Sequence, residues 1–429
     1  MTATQRADYH YPIGLFERFG VELEYMIVDR DTFNVRPICD ELLKAVSGTY
    51  EAEIQPDGEG SPIAWSNELA LHVVELKTNH PADTLTGLDD TFHRHVRRIN
   101  DLLAPMNARL LPTAMHPWMD PHRELKLWPH EASPIYDAFD RIFSCKGHGW
   151  ANLQSVHLNL PFANDTEFGN LHAAIRAVLP LLPAIAAASP IVDGQVTGLA
   201  DSRIDVYRSN ARTIPSVSGK VIPEPVFTRD AYENELLAGI YRDIAPHDTD
   251  GILQHEWLNA RGCIARFDRG AIEIRLLDIQ ECPKADLAIL ALVIEVVRAL
   301  TQERWGGQAS LRALDRDTMS DILRETTHHA EQAQVGYRPL LDVLGITTQD
   351  SSAGDIWRHL IDELILPDSP WRETLDTLVT QGTLSTRIIN TLGNTPDRTA
   401  IDRVYRQLAD CLQHNQLFTT EGGGPATLL

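Results

Sequence analysis

Four short segments alternate apolar and polar residues with the period of two that is typical of a strand with one buried face. The apolar positions are mostly Val, Leu or Ile, and the positions between them carry metal-capable or cationic side chains. Because successive side chains of a strand point to opposite faces, each segment places its two polar residues on the same face. The four pairs are Glu22 and Glu24, Glu75 and Lys77, His157 and Asn159, and Glu273 and Arg275.

The remaining hydrophobic pattern predicts further strands and a set of helices. Ser133, which precedes Pro134, is expected to cap one of the helices, and the prolines between residues 167 and 188 are expected to interrupt another. Strands are predicted within 14–30, 52–79, 109–113, 151–160 and 263–279. Helices are predicted at 40–46, 84–103, 133–145, 167–188 and 231–243, and over most of 285–415.

The order of these elements predicts an α+β fold with an antiparallel sheet. Residues 1–284 are expected to form a body that carries the functional site. Residues 285–420 are expected to form a helical layer, either as a second domain or as a cover for the same sheet. A length of 429 residues allows one large elaborated domain or two domains. The glycine-rich tail, residues 421–429, is predicted to be disordered.

One stretch, residues 201–230, has no clear periodicity and is rich in Arg, Lys, Pro and Gly. Long loops of this kind are often lids or binding loops. A disordered segment is the other alternative, and a lid that excludes water from the site is one hypothesis.

Charge and cysteine usage narrow the class of partner. The chain has 38 Lys and Arg against 60 Asp and Glu, a net charge of −22. This balance argues against nucleic-acid binding and against docking on anionic membranes. Five cysteines without C-x-x-C spacing, and no signal-peptide pattern at the N-terminus, predict a cytoplasmic protein. Small molecules are the expected partners, and formation of a homo-oligomer is left open.

The polar face could bind divalent cations. Carboxylates crowded on one surface repel each other unless a cation or a proton intervenes. Mg²⁺ and Mn²⁺ prefer oxygen ligands, and Mn²⁺ also accepts imidazole. The candidate metal ligands are Glu22, Glu24, Glu75, His157 and Glu273. Each of these alone is more often part of a solvated strand face or a core contact, so the prediction depends on their conjunction.

Metals beside arginines suit phosphoryl transfer, which needs cations to neutralise the transferring group. Arg275 lies on the same strand face as Glu273, and its fork fits a phosphate. Arg203, Arg261 and Lys220 are further candidates for binding a nucleotide triphosphate or a substrate carboxylate. The chain has no Walker or protein-kinase motif. A metal-dependent phosphohydrolase therefore remains an alternative at this point.

In these segments the chain resembles the glutamate–cysteine ligase family, in the branch with plant-type enzymes and bacterial carboxylate–amine ligases. The matching segments follow family order across about two-thirds of the chain. They are GVELEY at 20–25, VELKT at 74–78, MHP at 115–117, SVHLN at 155–159, AASP at 187–190, DSR at 201–203 and IEIRLLD at 272–278.

The resemblance implies a glutamine-synthetase-like fold, with a curved antiparallel sheet and helices on its convex side. It implies ATP and Mg²⁺ or Mn²⁺ as cofactors, and an amide formed through an acyl phosphate, typically from the γ-carboxylate of glutamate and the amine of cysteine. Glu273 and Arg275 would be catalytic. Glu68 ranks below the other carboxylates, because seven residues separate it from Glu75. A different amine acceptor and a silent nucleotide-binding homologue are the remaining alternatives.

Overall fold

An eight-stranded sheet forms the centre of the computed structural model, which describes residues 10–419. Six strands of this sheet come from the first 161 residues, and two more form a hairpin near residue 270. Between described residues, each strand pairing of the sheet is antiparallel. The strands of the chain are β1 (Gly20–Asp29), β2 (Glu53–Ile54), β3 (Ile63–Asn67), β4 (Val73–Thr78), β5 (Ala108–Leu111), β6 (Ser155–Pro161), β7 (Ile191–Val192), β8 (Gln195–Val196), β9 (Cys263–Arg266), β10 (Ala271–Asp278), β11 (Gln334–Val335) and β12 (Ser351–Ser352).

Helices fill most of the chain after β10 and much of the sequence between the strands. The α-helices are α1 (Cys39–Ser47), α2 (Leu88–Leu103), α3 (Pro121–Glu124), α4 (Ser133–Phe143), α5 (His148–Ala151), α6 (Asp165–Val178), α7 (Pro183–Ala186), α8 (Ser202–Tyr207), α9 (Arg229–Ala231), α10 (Ala238–Ile244), α11 (Pro283–Thr301), α12 (Gln308–Arg312), α13 (Arg316–His329), α14 (Arg338–Val343), α15 (Ala353–Leu364), α16 (Arg372–Gln381), α17 (Leu384–Leu392) and α18 (Arg398–His414). Short 3₁₀ turns lie at 104–106, 179–181, 256–258 and 330–332, and a π-helical segment at 232–237.

Strand β1 organises the sheet because it pairs with three neighbours. Along one edge it pairs with β4, and along the other its first half pairs with β6 and its second half with β5. The order across the sheet is β2, β3, β4, β1, β6, β10, β9, with β5 beside β1. Segments distant in sequence therefore meet side by side, as the long insertions between the predicted strands require.

The apolar face of β1 is buried in the main core. Val21, Leu23, Tyr25 and Ile27 are fully buried there together with residues of α2, α6 and α11. α11 packs against α2 and α6, and α15 and α16 pack against α11. The start of the predicted C-terminal helical layer thus covers the back of the sheet.

The opposite face of β1 is divided into two halves. Glu22 and Glu24 occupy the first half, whereas Met26 and Val28 occupy the second. Met26 and Val28 belong to a separate apolar cluster with residues of α17 and α18 such as Tyr405. Because α17 and α18 cover only the second half, the polar residues of the first half remain available for a site.

The structure confirms the predicted α+β class and corrects two details. Ser133 is the first residue of α4 and makes no capping hydrogen bond, since the residue before the helix is Ala132. The stretch 201–230 is not a free basic loop, because it contains α8 and buries Ala211, Val217 and Ile222. Sequence reasoning missed this because the apolar residues are irregularly spaced. The predicted disordered tail, residues 421–429, lies outside the described residues.

Among the described residues, none of the helices combines the length and the apolar composition that crossing a bilayer requires. The division of the chain at residue 284 stays a prediction.

Candidate active site

The strand register brings the predicted polar pairs onto one surface. Glu22 lies opposite Lys77 of β4 and opposite His157 of β6. Glu24 lies opposite Glu75 of β4. The first half of β1 and its two neighbours therefore present their polar side chains together, as strand alternation predicted.

Glu22 is held by two side chains of β6. His157 Nδ1 donates to Glu22 Oε2 at 2.9 Å, and Asn159 Nδ2 donates to Oε1 at 3.0 Å. Burial opposes ionisation of Glu22, but the hydrogen bond and charge of His157, with the charge of Lys77, lower its pKa below the usual range. Burial also opposes a charge on His157, yet the hydrogen bond to Glu22 and the charge of Glu24 raise the pKa of His157 to about 9. Without metal, this pair is an ion pair.

Glu24 is oriented by Ser155 at the start of β6. The backbone N–H and the Oγ of Ser155 both donate to Glu24 Oε2, at 2.7 and 2.9 Å. The other carboxylate oxygen, Oε1, lies 3.8 Å from His157 Nε2. A carboxylate oxygen of Glu24 lies within 4.8 Å of carboxylate oxygens of Glu68 and Glu75.

The charge of Glu75 is only partly compensated by its surroundings. Ser66 Oγ donates to Glu75 Oε2 at 2.6 Å, and Lys77 Nζ lies 3.1 Å from the same oxygen. Lys77 is shared, because its Nζ also lies 2.8 Å from Glu53. Burial, followed by the charge of Glu22, raises the pKa of Glu75 to about 7. A cation at this position would relieve the repulsion.

Glu68 belongs to the same cluster, which corrects its low rank in the sequence-based prediction. β3 and β4 form a hairpin in which Ser66 pairs with Glu75, so Glu68 at the turn lies close to Glu75. Burial and the charges of Glu24 and Glu75 raise the pKa of Glu68 well above its ordinary value. A β3–β4 hairpin would have indicated this contact, but its register cannot be read from the sequence.

Two overlapping groups of these residues have the geometry of metal sites. One is Glu22, Glu75 and His157, and the other is Glu24, Glu68 and Glu75; in each, the ligating atoms lie within 4.8 Å of one another. Glu75 belongs to both groups. Carboxylate oxygens with a single imidazole fit Mn²⁺, and the all-carboxylate group fits Mg²⁺ as well. The residues present therefore fit the divalent cation that the resemblance implies.

Glu273 lies beside this cluster and is held by two arginines. It pairs with Asn159 across the β6–β10 register. Arg275 Nε donates to Glu273 Oε1 at 2.5 Å, and Arg266 Nη1 donates to Oε2 at 3.4 Å. Glu273 lies outside both metal-site groups, so its role as a metal ligand stays a prediction. Arg266 of β9 was missed, because its approach depends on the β9–β10 pairing.

The three predicted nucleotide-binding cations do not contact the carboxylate cluster in the part of the chain that is described. Arg203 is buried, and its Nη2 donates to the carbonyl oxygen of Arg275 at 2.7 Å. Arg261 Nη2 donates to Glu224 Oε1 at 2.9 Å. Lys220 Nζ lies 2.8 Å from Asp317. Only Arg203 approaches the site, and it does so through the main chain of Arg275.

A cavity of about 390 Å³ opens beside Glu22. Its lining joins the cluster to the edge of the sheet where β1 and β10 begin. Besides the carboxylates of Glu22 and Glu53, its lining carries positively charged and hydrogen-bonding side chains. They include Arg18, Lys77, Asn79, Asn159 and Arg269.

The chain belongs to glutamate–cysteine ligase family 2 (GCS2), whose model matches residues 18–342. The matched region extends from the start of β1 into α14 and includes each residue of the two metal-site groups. Membership in this family makes the protein an enzyme of the carbon–nitrogen ligase class.

The chain is also similar to individual relatives and to a solved structure. An uncharacterised protein of Archaeoglobus fulgidus is 33% identical over 346 residues, which cover 78% of this chain and 91% of the relative. A protein of Cupriavidus metallidurans, provisionally named glutamate–cysteine ligase 2, is 29% identical over 44% of this chain and 46% of its own length. A crystal structure of a bifunctional glutathione synthetase from Pasteurella multocida aligns with a TM-score of 0.46 and 13% identity, covering 93% of this chain and 53% of that chain.

Proposed function

We propose that this protein is an ATP-dependent carboxylate–amine ligase that joins the γ-carboxylate of glutamate to the amine of cysteine through an acyl phosphate. Family membership supports the reaction class. The observation that carries the proposal is the presence of two overlapping metal-site groups that share Glu75. Phosphoryl transfer from a nucleotide requires cations at the phosphates, and this cluster is built to hold them.

The reaction has two balanced steps. A carboxylate oxygen of the acid attacks the γ-phosphorus of ATP, and the bond from that phosphorus to the β–γ bridging oxygen breaks to release ADP. The amine nitrogen then attacks the acyl carbon and loses a proton, the C–O bond breaks, and inorganic phosphate leaves. The acyl phosphate must be shielded from water, which would hydrolyse it.

The carboxylate cluster and Arg275 have different roles in this reaction. Mg²⁺ or Mn²⁺ held by the two groups would neutralise phosphate oxygens and orient them for in-line transfer. Glu22 and Glu24 are positioned by hydrogen bonds from His157, Asn159 and Ser155, and His157 would lose a proton on binding a metal ion. Arg275, fixed by Glu273, contacts the transferring phosphoryl group.

The nucleotide enters through the cavity beside Glu22. Its lining includes the cations Arg18, Lys77 and Arg269, each of which lies beside an acidic side chain that an anionic ligand would replace.

The cellular setting is part of the same proposal. The five cysteines, all described, are free and buried, which suits a reducing compartment. We place the enzyme in the cytoplasm, with amino acids and ATP as its small-molecule partners and without a nucleic-acid or membrane partner.

The test is an ADP-release assay over pairs of acids and amines, starting with glutamate and cysteine. The proposal predicts ADP release that requires both. Release with glutamate and another amine would keep the ligase chemistry and change the acceptor. Phosphate release from ATP without either amino acid would instead indicate a metal-dependent phosphohydrolase.

Glu273→Gln is the active-site variant for this assay. It should reduce turnover by at least about 100-fold, because it releases Arg275 from its position and a misplaced group of this kind has a cost of that order. Glu373→Gln, which changes an exposed glutamate of α16, is the matched control and should keep full activity. Thermal unfolding of both variants separates loss of activity from loss of fold.

A further inference from the structure

Strand β10 is irregular at the residue that the proposed reaction needs. Its register with β6 shifts between Ile274 and Leu277, so Arg275 lies within the irregularity. Irregularities of this kind bend a strand and redirect the side chains within it. The Arg275 N–H donates to the carbonyl oxygen of Gly262 at 2.9 Å, which fixes the backbone on the N-terminal side of Arg275.

The other side of the same residue is fixed by Arg203. Arg203 Nη2 donates to the carbonyl oxygen of Arg275 at 2.7 Å, and its Nη1 lies 3.4 Å from Asp278 Oδ1 at the end of β10. One guanidinium therefore contacts β10 both within the irregularity and three residues beyond it. A guanidinium has donors in a rigid fork, and a lysine cannot reproduce this double contact.

Arg203 is itself held in place and is inaccessible. Its own N–H donates to Ser189 Oγ at 3.1 Å, and α8 is capped at its start by Asp201, whose Oδ1 accepts from the Ile204 N–H at 2.8 Å. Only 2% of the Arg203 surface is exposed. Arg203 does not line the cavity beside Glu22, and the role in nucleotide binding predicted from the sequence stays a prediction.

Arg203 and the site are thus connected through one main-chain oxygen. Arg275 reaches Glu273 through Nε, and 20% of its side chain is exposed toward solvent. If the carbonyl of Arg275 were released, the peptide could rotate and the guanidinium would move away from Glu273. A displacement of about 1 Å in a catalytic group can cost on the order of 100-fold in rate.

We infer that Arg203 is a positioning residue, which holds the carbonyl oxygen of Arg275 within the irregular part of β10 and thereby directs the Arg275 guanidinium to the transferring phosphoryl group. The inference rests on the proposed function, since it assigns a reaction step to Arg275. It replaces direct binding of nucleotide or acid by Arg203.

The experiment follows the first step of the reaction separately from binding. ATP labelled with ¹⁸O in the β–γ bridge is incubated with Mg²⁺ and glutamate, and scrambling of the label reports reversible phosphoryl transfer. Calorimetry measures the Kd of Mg·ATP in parallel. Arg203→Lys should slow scrambling by about 10- to 100-fold and leave the Kd within about 2-fold. Arg358→Lys, which makes the same change in an exposed arginine of α15, is the matched control and should change neither.

A double-variant cycle distinguishes positioning from a merely structural role. In an Arg275→Gln background, Arg203→Lys should cause little further loss of scrambling, because residues that act through each other are not additive. Additive losses would overturn the inference, as would a Kd raised 10-fold or an unchanged scrambling rate. If Arg203→Lys does not fold, Ser189→Ala replaces it in the cycle, since it removes the hydrogen bond to the Arg203 N–H together with those from Ser189 Oγ to Asp278 and Asp201.

The wild-type enzyme tests the underlying function in the same assay. If no acid supports scrambling in the wild type, the proposed function fails, and the inference fails with it. If the wild type scrambles the label and Arg203→Lys does so equally well, only the inference fails.

Discussion

Replacing Glu75 by Gln should stabilise the metal-free protein and abolish its activity. The side chain is 6% exposed, and burial together with the charge of Glu22 raises its pKa from an ordinary 4.5 to about 7. A shift of that size corresponds to about 3 kcal/mol of unfavourable free energy for the ionised form. Gln keeps an oxygen for the Ser66 hydroxyl but loses the ion pair with Lys77, so we expect a net gain of about 1–3 kcal/mol.

The sign of the pH dependence follows from the direction of the pKa change. The unfolded chain ionises Glu75 near pH 4.5, and the folded protein ionises it only near pH 7. The ionisation penalty is therefore absent below pH 4.5, grows as the pH rises to 7, and is complete above it. The stability difference between Glu75→Gln and the wild type should increase over this interval and then level off.

Urea unfolding in EDTA between pH 5 and pH 8, repeated with Mg²⁺, measures both effects. Mg²⁺ should stabilise the wild type and have little effect on Glu75→Gln. Glu53→Gln is the control, because it removes the more exposed partner of Lys77 and should change stability by less than about 1 kcal/mol. The reasoning is refuted if Glu75→Gln is less stable than the wild type in EDTA at pH 8.

Three further predictions concern other parts of the chain. Arg387→Leu leaves the fully buried Glu281 without its partner at 2.5 Å, and urea unfolding should show a loss of about 3–5 kcal/mol, partly recovered when Glu281→Leu is added. Gly20→Ala places a Cβ 2.9 Å from the Cβ of Asn159, so ADP release should fall; full activity would contradict this. Burial and a neighbouring aspartate raise the pKa of Glu256 to about 7, so ionisation of this residue should destabilise the wild type as the pH rises from 4.5 to 7. Glu256→Gln should remove this loss, and thermal unfolding across the pH range measures it.

Strand alternation was enough to predict the shared face of the site. Glu22 and Glu24 share a face because the period of two is local, and the same holds for Glu75 and for His157 on their own strands. Pairing of these strands then requires only that their apolar faces meet one core. The predicted α+β class followed from the same pattern.

Contacts that depend on register or on distant packing were not predictable in this way. Glu68 joins the cluster through the register of a hairpin, and Arg266 reaches Glu273 through the pairing of β9 with β10. Arg203 was predicted to bind a phosphate or a substrate carboxylate, and the sequence did not show that its Nη2 lies at the carbonyl oxygen of Arg275. Nor does local sequence show that α17 and α18 cover half of the polar face, since that cover depends on packing over hundreds of residues.

Binding of Mn²⁺, followed by electron paramagnetic resonance in the presence of ATP, tests most directly whether the cluster is a shared metal centre. The two overlapping groups predict two bound ions per chain, and the loss of both in Glu75→Gln, because that carboxylate belongs to each group. The absence of bound Mn²⁺ in the wild type, or unchanged binding in Glu75→Gln, would contradict the assignment of the site.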